Sequence, residues 1–321
     1  MRWGVLAATA TIAQHAVLPA LAESPKCRLV AVASASRPEG GYDAFGAERV
    51  LASYDAVVDD PEVEAVYIPL PNSLHAEWTI RAARAGKHVL CEKPLATSAV
   101  EASAMAAACD EGGVVLMEAY MTPFHPRSAL VADVLRSGRL GRLRFARTAF
   151  TFPLRDAANH RWHPRFGGGA ALDVGIYCVA PLLAAAGRTP IDLAASAVMT
   201  TTGVDSSFAG WLDFGGGFTA TFESSFEAPE RQRAEFVGTD GFLVVDRAFT
   251  PGPDDTTAEL IGADGTVERL ECPGGVSYRG MVDHFATVIR GGAGLRRTAG
   301  DSIELLTVLD RLRNVAREAR R

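Results

Sequence analysis

The chain has 321 residues, 48% of them hydrophobic and 22% charged, with a formal net charge of -6. That length predicts two cored domains, and the negative charge excludes a general attraction to phosphate backbones or anionic membranes. Five widely spaced cysteines (Cys27, Cys91, Cys109, Cys178 and Cys272) form no Cys-x-x-Cys pair and have no histidine cluster beside them, which predicts reduced, buried thiols and no metal site.

The first element admits two readings. "WGVLAATATIAQHAVLPALA", residues 3–22, has the apolar core and Ala-x-Ala-like end of a secretory signal, and equally the lengths of a strand (3–8) and a helix (11–22). The following elements decide between them. "RLVAVAS" (28–34), "AVYIPL" (65–70), "KHVLCE" (87–92) and "GVVLME" (113–118) are compact and rich in Val, Ile and Leu, as buried parallel strands are. Between them, 73–86 carries apolar residues at helical spacing and stops at Gly86. Residues 98–113 open on Ser98 with Glu101 three residues on, a capping box, and stop at Gly112-Gly113. Strand, helix, strand, repeated, predicts an α/β domain on a doubly wound, Rossmann-type parallel sheet. Such a sheet needs an opening strand and a crossover helix before residue 28, so residues 3–22 are read as those elements and a cytoplasmic location is expected. No other stretch approaches the ~18 to 20 uninterrupted apolar residues of a membrane span.

From residue 123 the pattern changes. A helix (125–137) leads into "LRFARTAFTF", and a second helix (171–186) is followed by alternating runs joined by Gly-rich or Asp-Gly turns. This predicts an α+β domain on an open, mostly antiparallel sheet, with two closing helices at 278–291 and 300–318. The expected division is 1–122 for dinucleotide binding and 123–321 for substrate binding and oligomerisation. An open sheet cannot leave a broad apolar face in water, so a homodimer or a pair of dimers is expected, with no nucleic-acid or membrane partner.

A dinucleotide fingerprint belongs between the first strand and helix as G-x-G-x-x-G/A, because glycines let the backbone approach a pyrophosphate at the helix N-terminus. Here the residues are Ala8, Thr9, Ala10, Thr11, Ile12 and Ala13, with Gly4 in the strand; an Ala-rich helix start fits them equally. The second strand ends Ala33-Ser34-Ala35-Ser36-Arg37, with no acid for a ribose 2'-hydroxyl. Ser34, Ser36 and Arg37 suit a 2'-phosphate, so NADP is expected ahead of NAD. Lys93 falls at the C-terminal end of a parallel strand, the edge where open α/β sheets bind ligands, and Pro94 fixes the chain as it leaves. Asp173 and Tyr177 are spaced i, i+4 near a helix start and share a face, and "GGG" at 167–169 allows a close approach there. If Lys93 faced it, the phenol of Tyr177 would become a usable proton donor and acceptor near neutral pH, although a core tyrosine has the same spacing. His125, His160 and His163 are not at metal-ligand spacing.

One long stretch is more specific. "PLPNSLHAEWTIRAARAGKHVLCEKPLA" (69–96) sets Pro69, Asn72 and His75 after the third strand and Glu92, Lys93 and Pro94 at the end of the next, and the pattern continues through "MEAYMTPFHP" and "NHRWHPRFGGGAALDVGIY". With these residues the chain resembles the glucose-fructose oxidoreductase / inositol dehydrogenase (Gfo/Idh/MocA) family, nearest to its sugar and dihydrodiol dehydrogenase branch. The resemblance implies hydride transfer between a nicotinamide and a hydroxyl or carbonyl carbon of a sugar or cyclic diol. It makes Tyr177 the acid/base, Lys93 its partner at the reacting oxygen and Asp173 the group that orients substrate hydroxyls. It places Pro69, Leu70, Asn72, His75, Glu92, Lys93 and Pro94 at the cofactor, and Arg161 and Trp162 beside the nicotinamide and substrate. A keto-sugar reductase of deoxysugar assembly and a non-catalytic cofactor-binding homologue stay open. Two departures stand out: the fingerprint has no glycines and one extra residue between Gly4 and Ala13, and Thr122-Pro123 replaces the branch's usual Tyr-Arg. The first predicts weakened cofactor binding, restored by glycine at Ala10.

Overall fold

The computed structural model describes residues 1–34 and 41–319, so Ser36 and Arg37 lie outside the described residues. The chain divides into two compact units, Met1–Phe124 with Val276–Ile303, and His125–Gly275 with Glu304–Arg321.

The first unit is built on a six-stranded parallel sheet of β1 (Arg2–Val5), β2 (Arg28–Ala33), β3 (Arg49–Leu51), β4 (Ala65–Ile68), β5 (His88–Cys91) and β6 (Leu116–Glu118), in the order β3-β2-β1-β4-β5-β6. The strand order reverses between β1 and β4, the switch point at which a crevice opens beyond the carboxyl ends of a doubly wound sheet. Leu29 to Ala33 and all of β4 are buried, as expected for strands covered by helices on both faces. Each fully buried Val or Leu in such a strand contributes roughly 1.5–3 kcal/mol. Gly4 is required by packing, because a Cβ there would sit 2.5 Å from Cγ1 of Val57.

Residues 3–22 form core strand and helix. After β1 the chain winds through a π turn (Ala13–Val17) into α1 (Leu18–Glu23), and a π turn absorbs one more residue than an α turn. Two short elements escaped the sequence pattern: β3, and α2 (Tyr54–Val58) capped by Ser53. Next come α3 (His75–Arg84) and α4 (Ala99–Glu111). The Ser98 hydroxyl accepts from the Glu101 N–H at 3.3 Å, while the Glu101 carboxylate reaches past Ser98 to the N–H and hydroxyl of Thr97 at 3.0 and 2.6 Å.

The second unit holds α5 (Pro126–Arg136), α6 (Ile176–Ala186) and an eight-stranded sheet of β7 (Leu143–Thr151), β8 (Asp192–Met199), β9 (Asp205–Asp213), β10 (Thr219–Ser225), β11 (Arg231–Gly238), β12 (Gly241–Asp246), β13 (Thr256–Gly262) and β14 (Val267–Cys272). Its order is β14-β13-β12-β11-β7-β10-β9-β8, antiparallel except where β7 lies parallel to β10. The sheet packs one face on α6, where the Thr148 hydroxyl donates to the Cys178 carbonyl at 3.0 Å. Strand alternation leaves Phe145 61% and Trp211 36% exposed. Residues 164–186 are long and apolar enough to cross a membrane by length and composition, but the most apolar stretch among them is mostly buried inside the protein, as in a core segment.

The helix expected at 278–291 is α7 (Ser277–Ile289), and the last is α8 (Ala299–Glu318). Sequence order placed α7 in the second domain, yet residues 276–303 pack into the first unit. The cause is an apolar face of Met281, Val282, Phe285 and Ala286, all fully buried, with the Phe285 ring 5.4 Å from that of Trp3.

Candidate active site

In the first unit the expected residues gather at the carboxyl ends of four strands. Ala8 to Ile12 follow β1, Ser34 follows β2, Pro69, Leu70 and Asn72 follow β4, and Glu92, Lys93 and Pro94 follow β5. The turn after β1 is held by hydrogen bonds from Leu6 N to Tyr67 O (3.0 Å), Ala8 N to Ala33 O (2.9 Å) and Ala10 N to Ala7 O (2.8 Å). The hydroxyls of Thr9 and Ser34 share a hydrogen bond of 2.9 Å. The residue in the left-handed region, where glycine is favoured, is Ala7 (φ 45°). Ala8 is fully buried. The glycine-free turn therefore fits an approaching pyrophosphate: it presents small side chains and two hydroxyls in front of the helix that begins at Thr11.

The segment after β5 is anchored on both sides of Lys93. Tyr67 donates its hydroxyl to Glu92 Oε1 at 2.6 Å, and Glu92 Oε2 accepts from the Lys93 N–H at 3.1 Å. Burial pushes the Glu92 carboxyl above its usual range, against the pull of the Tyr67 bond and the Lys93 charge. From Cys91 to Ala96 every residue but Lys93 is buried. The chain holds three lysines, Lys26, Lys87 and Lys93, against 29 arginines. A compact ammonium at this edge therefore stands out in a sequence that otherwise uses guanidinium for positive charge. His75 is fully buried, and its ring nitrogens lie 2.9 Å from Pro94 O and 2.8 Å from Leu70 O.

The second unit brings Arg161, Trp162, Asp173 and Tyr177 into one neighbourhood. Arg161 Nε donates to Asp173 Oδ2 at 2.7 Å, with the Asp173 side chain 11% exposed. Arg161 and Trp162 ride on a short 3-10 turn (His160–Trp162) in which the Asn159 side chain accepts the Arg161 N–H. Each of the three glycines that follow has a distinct task. Gly167 takes a positive φ of 71°, and a Cβ at Gly168 would lie 2.3 Å from the Arg161 carbonyl. Gly169, at φ 116°, would place a Cβ 2.3 Å from Asp205 Oδ1.

Asp205 is a residue the sequence reading missed. Its Oδ2 accepts the Ala171 N–H at 2.6 Å, which caps the π turn (Ala171–Gly175) that carries Asp173 and leads into α6 and Tyr177. Burial pushes its carboxyl up to about 6, against hydrogen bonds from Ala171 and its neighbours and the charge of Arg313. No local motif marks it, but the need for three glycines before Ala170 was the trace of something approaching closely. Tyr177 is 4% exposed, its ring 5.4 Å from Phe150 and 6.1 Å from Phe249. Trp162 packs edge-on to Phe226 at 5.3 Å. Among the described residues no group of three His, Cys, Asp or Glu side chains is arranged to hold a metal.

Known proteins share this architecture along its whole length. A D-xylose 1-dehydrogenase (NADP(+)) of Haloferax volcanii is 36% identical over 97% of this chain and 95% of its own. A dTDP-3,4-didehydro-2,6-dideoxy-alpha-D-glucose 3-reductase of Saccharopolyspora spinosa is 35% identical over 100% and 98%. The crystal structure of a 3-ketoreductase from Actinomadura kijaniata, in complex with NADP and TDP-benzene, superposes with a TM-score of 0.90 at 32% identity, covering 98% of this chain and 97% of that one. Residues 1–120 match the oxidoreductase family with an NAD-binding Rossmann fold and residues 129–244 the GFO/IDH/MocA C-terminal domain, so the chain belongs to the Gfo/Idh/MocA family of oxidoreductases.

Proposed function

We propose that this protein is an NADP-preferring sugar oxidoreductase that interconverts a hydroxyl and a carbonyl group on a pyranose or cyclic diol. The observation that carries the reading is Lys93, the single part-exposed residue of an otherwise buried segment at the carboxyl edge of the switch-point sheet. A bound nicotinamide supplies the hydride acceptor or donor. Ala8 to Ile12 and Ser34 would hold the dinucleotide backbone, with Ser36 and Arg37 at its 2'-phosphate. Tyr177 would take or give the hydroxyl proton, and the Lys93 ammonium would hold the reacting oxygen and lower the cost of a phenolate. Arg161 fixes Asp173 in direction, so that the carboxylate can orient substrate hydroxyls.

A second reading runs the same residues in reverse as a keto-sugar reductase, and it is favoured by the full-length relative named a 3-reductase. For either reading the partner is a second copy, docked through the sheet face bearing Phe145 and Trp211. Because β1 and α1 are core elements, the reading keeps residues 3–22 in the working protein, in the cytoplasm.

The test is Tyr177→Phe on the best substrate from a panel of aldoses, with both cofactors titrated. Turnover should fall at least about a hundredfold while the NADPH dissociation constant stays within a small factor. Substantial activity in the variant removes Tyr177 as the acid/base, and equal affinities for NADP and NAD count against the 2'-phosphate reading.

A further inference from the structure

We infer that His75 is a positioning residue that holds Lys93 at the carboxyl edge of the sheet. The inference rests on the proposed role of Lys93 for its catalytic consequence, and on geometry alone for the placement itself. Strands β4 and β5 pair in parallel as far as Ile68 and Cys91, and the last bond between them runs from Glu92 N to Ile68 O at 3.1 Å. Beyond it the two chains separate through Pro69, Pro71 and Pro94, none of which has an N–H to give. Their buried carbonyls need donors from elsewhere.

His75, the first residue of α3, supplies one donor from the side. Its imidazole spans the gap, with Nε2 on the Leu70 carbonyl and Nδ1 on the Pro94 carbonyl, at 2.8 and 2.9 Å. The ring thus ties the exit of β4 to the exit of β5 where the ladder has stopped doing so. Burial pushes the imidazole below its ordinary range, against the pull of the two carbonyls and of Glu118. A neutral ring donates to one of the two carbonyls at a time. Glu118 adds a second anchor one residue on: its Oε1 accepts the Leu95 N–H at 2.8 Å, and its Oε2 is held by Arg297 and Ser302 at 2.6 and 2.7 Å.

Lys93 therefore sits between a fixed Glu92 before it and fixed Pro94 and Leu95 groups after it. The two sequence signatures, Pro69-x-x-Asn72-x-x-His75 and Glu92-Lys93-Pro94, are halves of one clamp, joined by a single imidazole. Removing the ring leaves the Glu118 and Glu92 anchors in place, so the segment should loosen without the sheet coming apart.

Three lysines make a direct test practicable. Protein labelled with 15N-lysine gives three backbone amide signals, and the Lys93 amide is the one bonded to Glu92. In His75→Leu, hydrogen exchange at Lys93 should quicken at least about tenfold while Lys26 and Lys87 keep their rates. On the proposed substrate kcat should fall about 10- to 100-fold with KM little changed, since a small misplacement of a reacting group costs rate more than binding. His75→Gln, which can still donate one hydrogen bond, should recover part of both effects. Unchanged exchange at Lys93 overturns the inference whatever happens to turnover. Faster exchange with unchanged kcat upholds the placement by His75 and instead refutes the catalytic role proposed for Lys93. If His75→Leu does not fold, the same comparison is made between His75→Gln and the wild type.

Discussion

Replacing Asp205 by Asn tests whether a buried charge is kept at the base of α6 at the expense of stability. The folded carboxyl has its proton affinity raised by burial, from 3.8 to about 6. At about 1.4 kcal/mol per pKa unit the rise corresponds to about 3 kcal/mol, and the partial solvent contact of this half-buried residue brings it to about 2 kcal/mol. The sign follows from the direction of the rise: the folded state binds the proton more tightly than the unfolded state. The contribution is therefore fully present below pH 4 and is lost as the pH climbs through 6. Asparagine carries no charge at any pH, and its Oδ1 can still accept the Ala171 N–H that Asp205 holds at 2.6 Å. Asp205→Asn should then be more stable than the wild type by about 2 kcal/mol at pH 7.5, a Tm increase of about 4–8 °C for the second unit, with the difference closing toward pH 4. Differential scanning calorimetry of both proteins at half-unit pH steps reads this directly. A variant less stable than the wild type at pH 7.5, or a difference that does not change with pH, would show that attraction to the helix N-terminus outweighs desolvation and would refute the reasoning.

Two further outcomes concern backbone geometry. Ala7→Gly should stabilise the first unit by about 0.5–1 kcal/mol, because it relieves a left-handed alanine at φ 45° and gives back part of the gain as unfolded-chain entropy, whereas Ala10→Gly should bring no such gain; urea titration separates them. Gly169→Ala should cost about 2–4 kcal/mol through its φ of 116° and the 2.3 Å approach to Asp205, and adding Asp205→Ala should restore the steric part alone. A Gly169→Ala protein with wild-type stability would contradict the proposed close approach.

Much of the first unit was legible because its signals are local. Ser98 with Glu101, the apolar runs of β2, β4 and β5, and the glycines after α3 and α4 lie within a turn or two of what they control. The misreadings share the opposite property. The place of α7 depends on Phe285 meeting Trp3 across most of the chain, a pairing no window of sequence contains. The motif around His75 conveys spacing and not direction, and only its burial shows that its ring nitrogens face Leu70 and Pro94. Alanines at 7, 8 and 10 look alike in sequence, and the turn alone assigns the positive φ to Ala7. Asp205 caps a helix 34 residues before it, from the start of an unrelated strand.

The interleaved division of the chain bears on how the protein is made. The first unit is completed by Val276–Ile303 and the second by Glu304–Arg321, so both wait for the same late stretch of polypeptide. In the order of synthesis Trp3 leaves the ribosome 282 residues ahead of Phe285, the ring that covers it. At translation rates of about 5–20 residues per second, that leaves an apolar face of the nascent sheet uncovered for roughly 15 to 55 seconds. Neither unit can close before residue 276 has been made, and a chain halted near Gly275 would present two unfinished cores to chaperones and proteases instead of one folded domain and a tail.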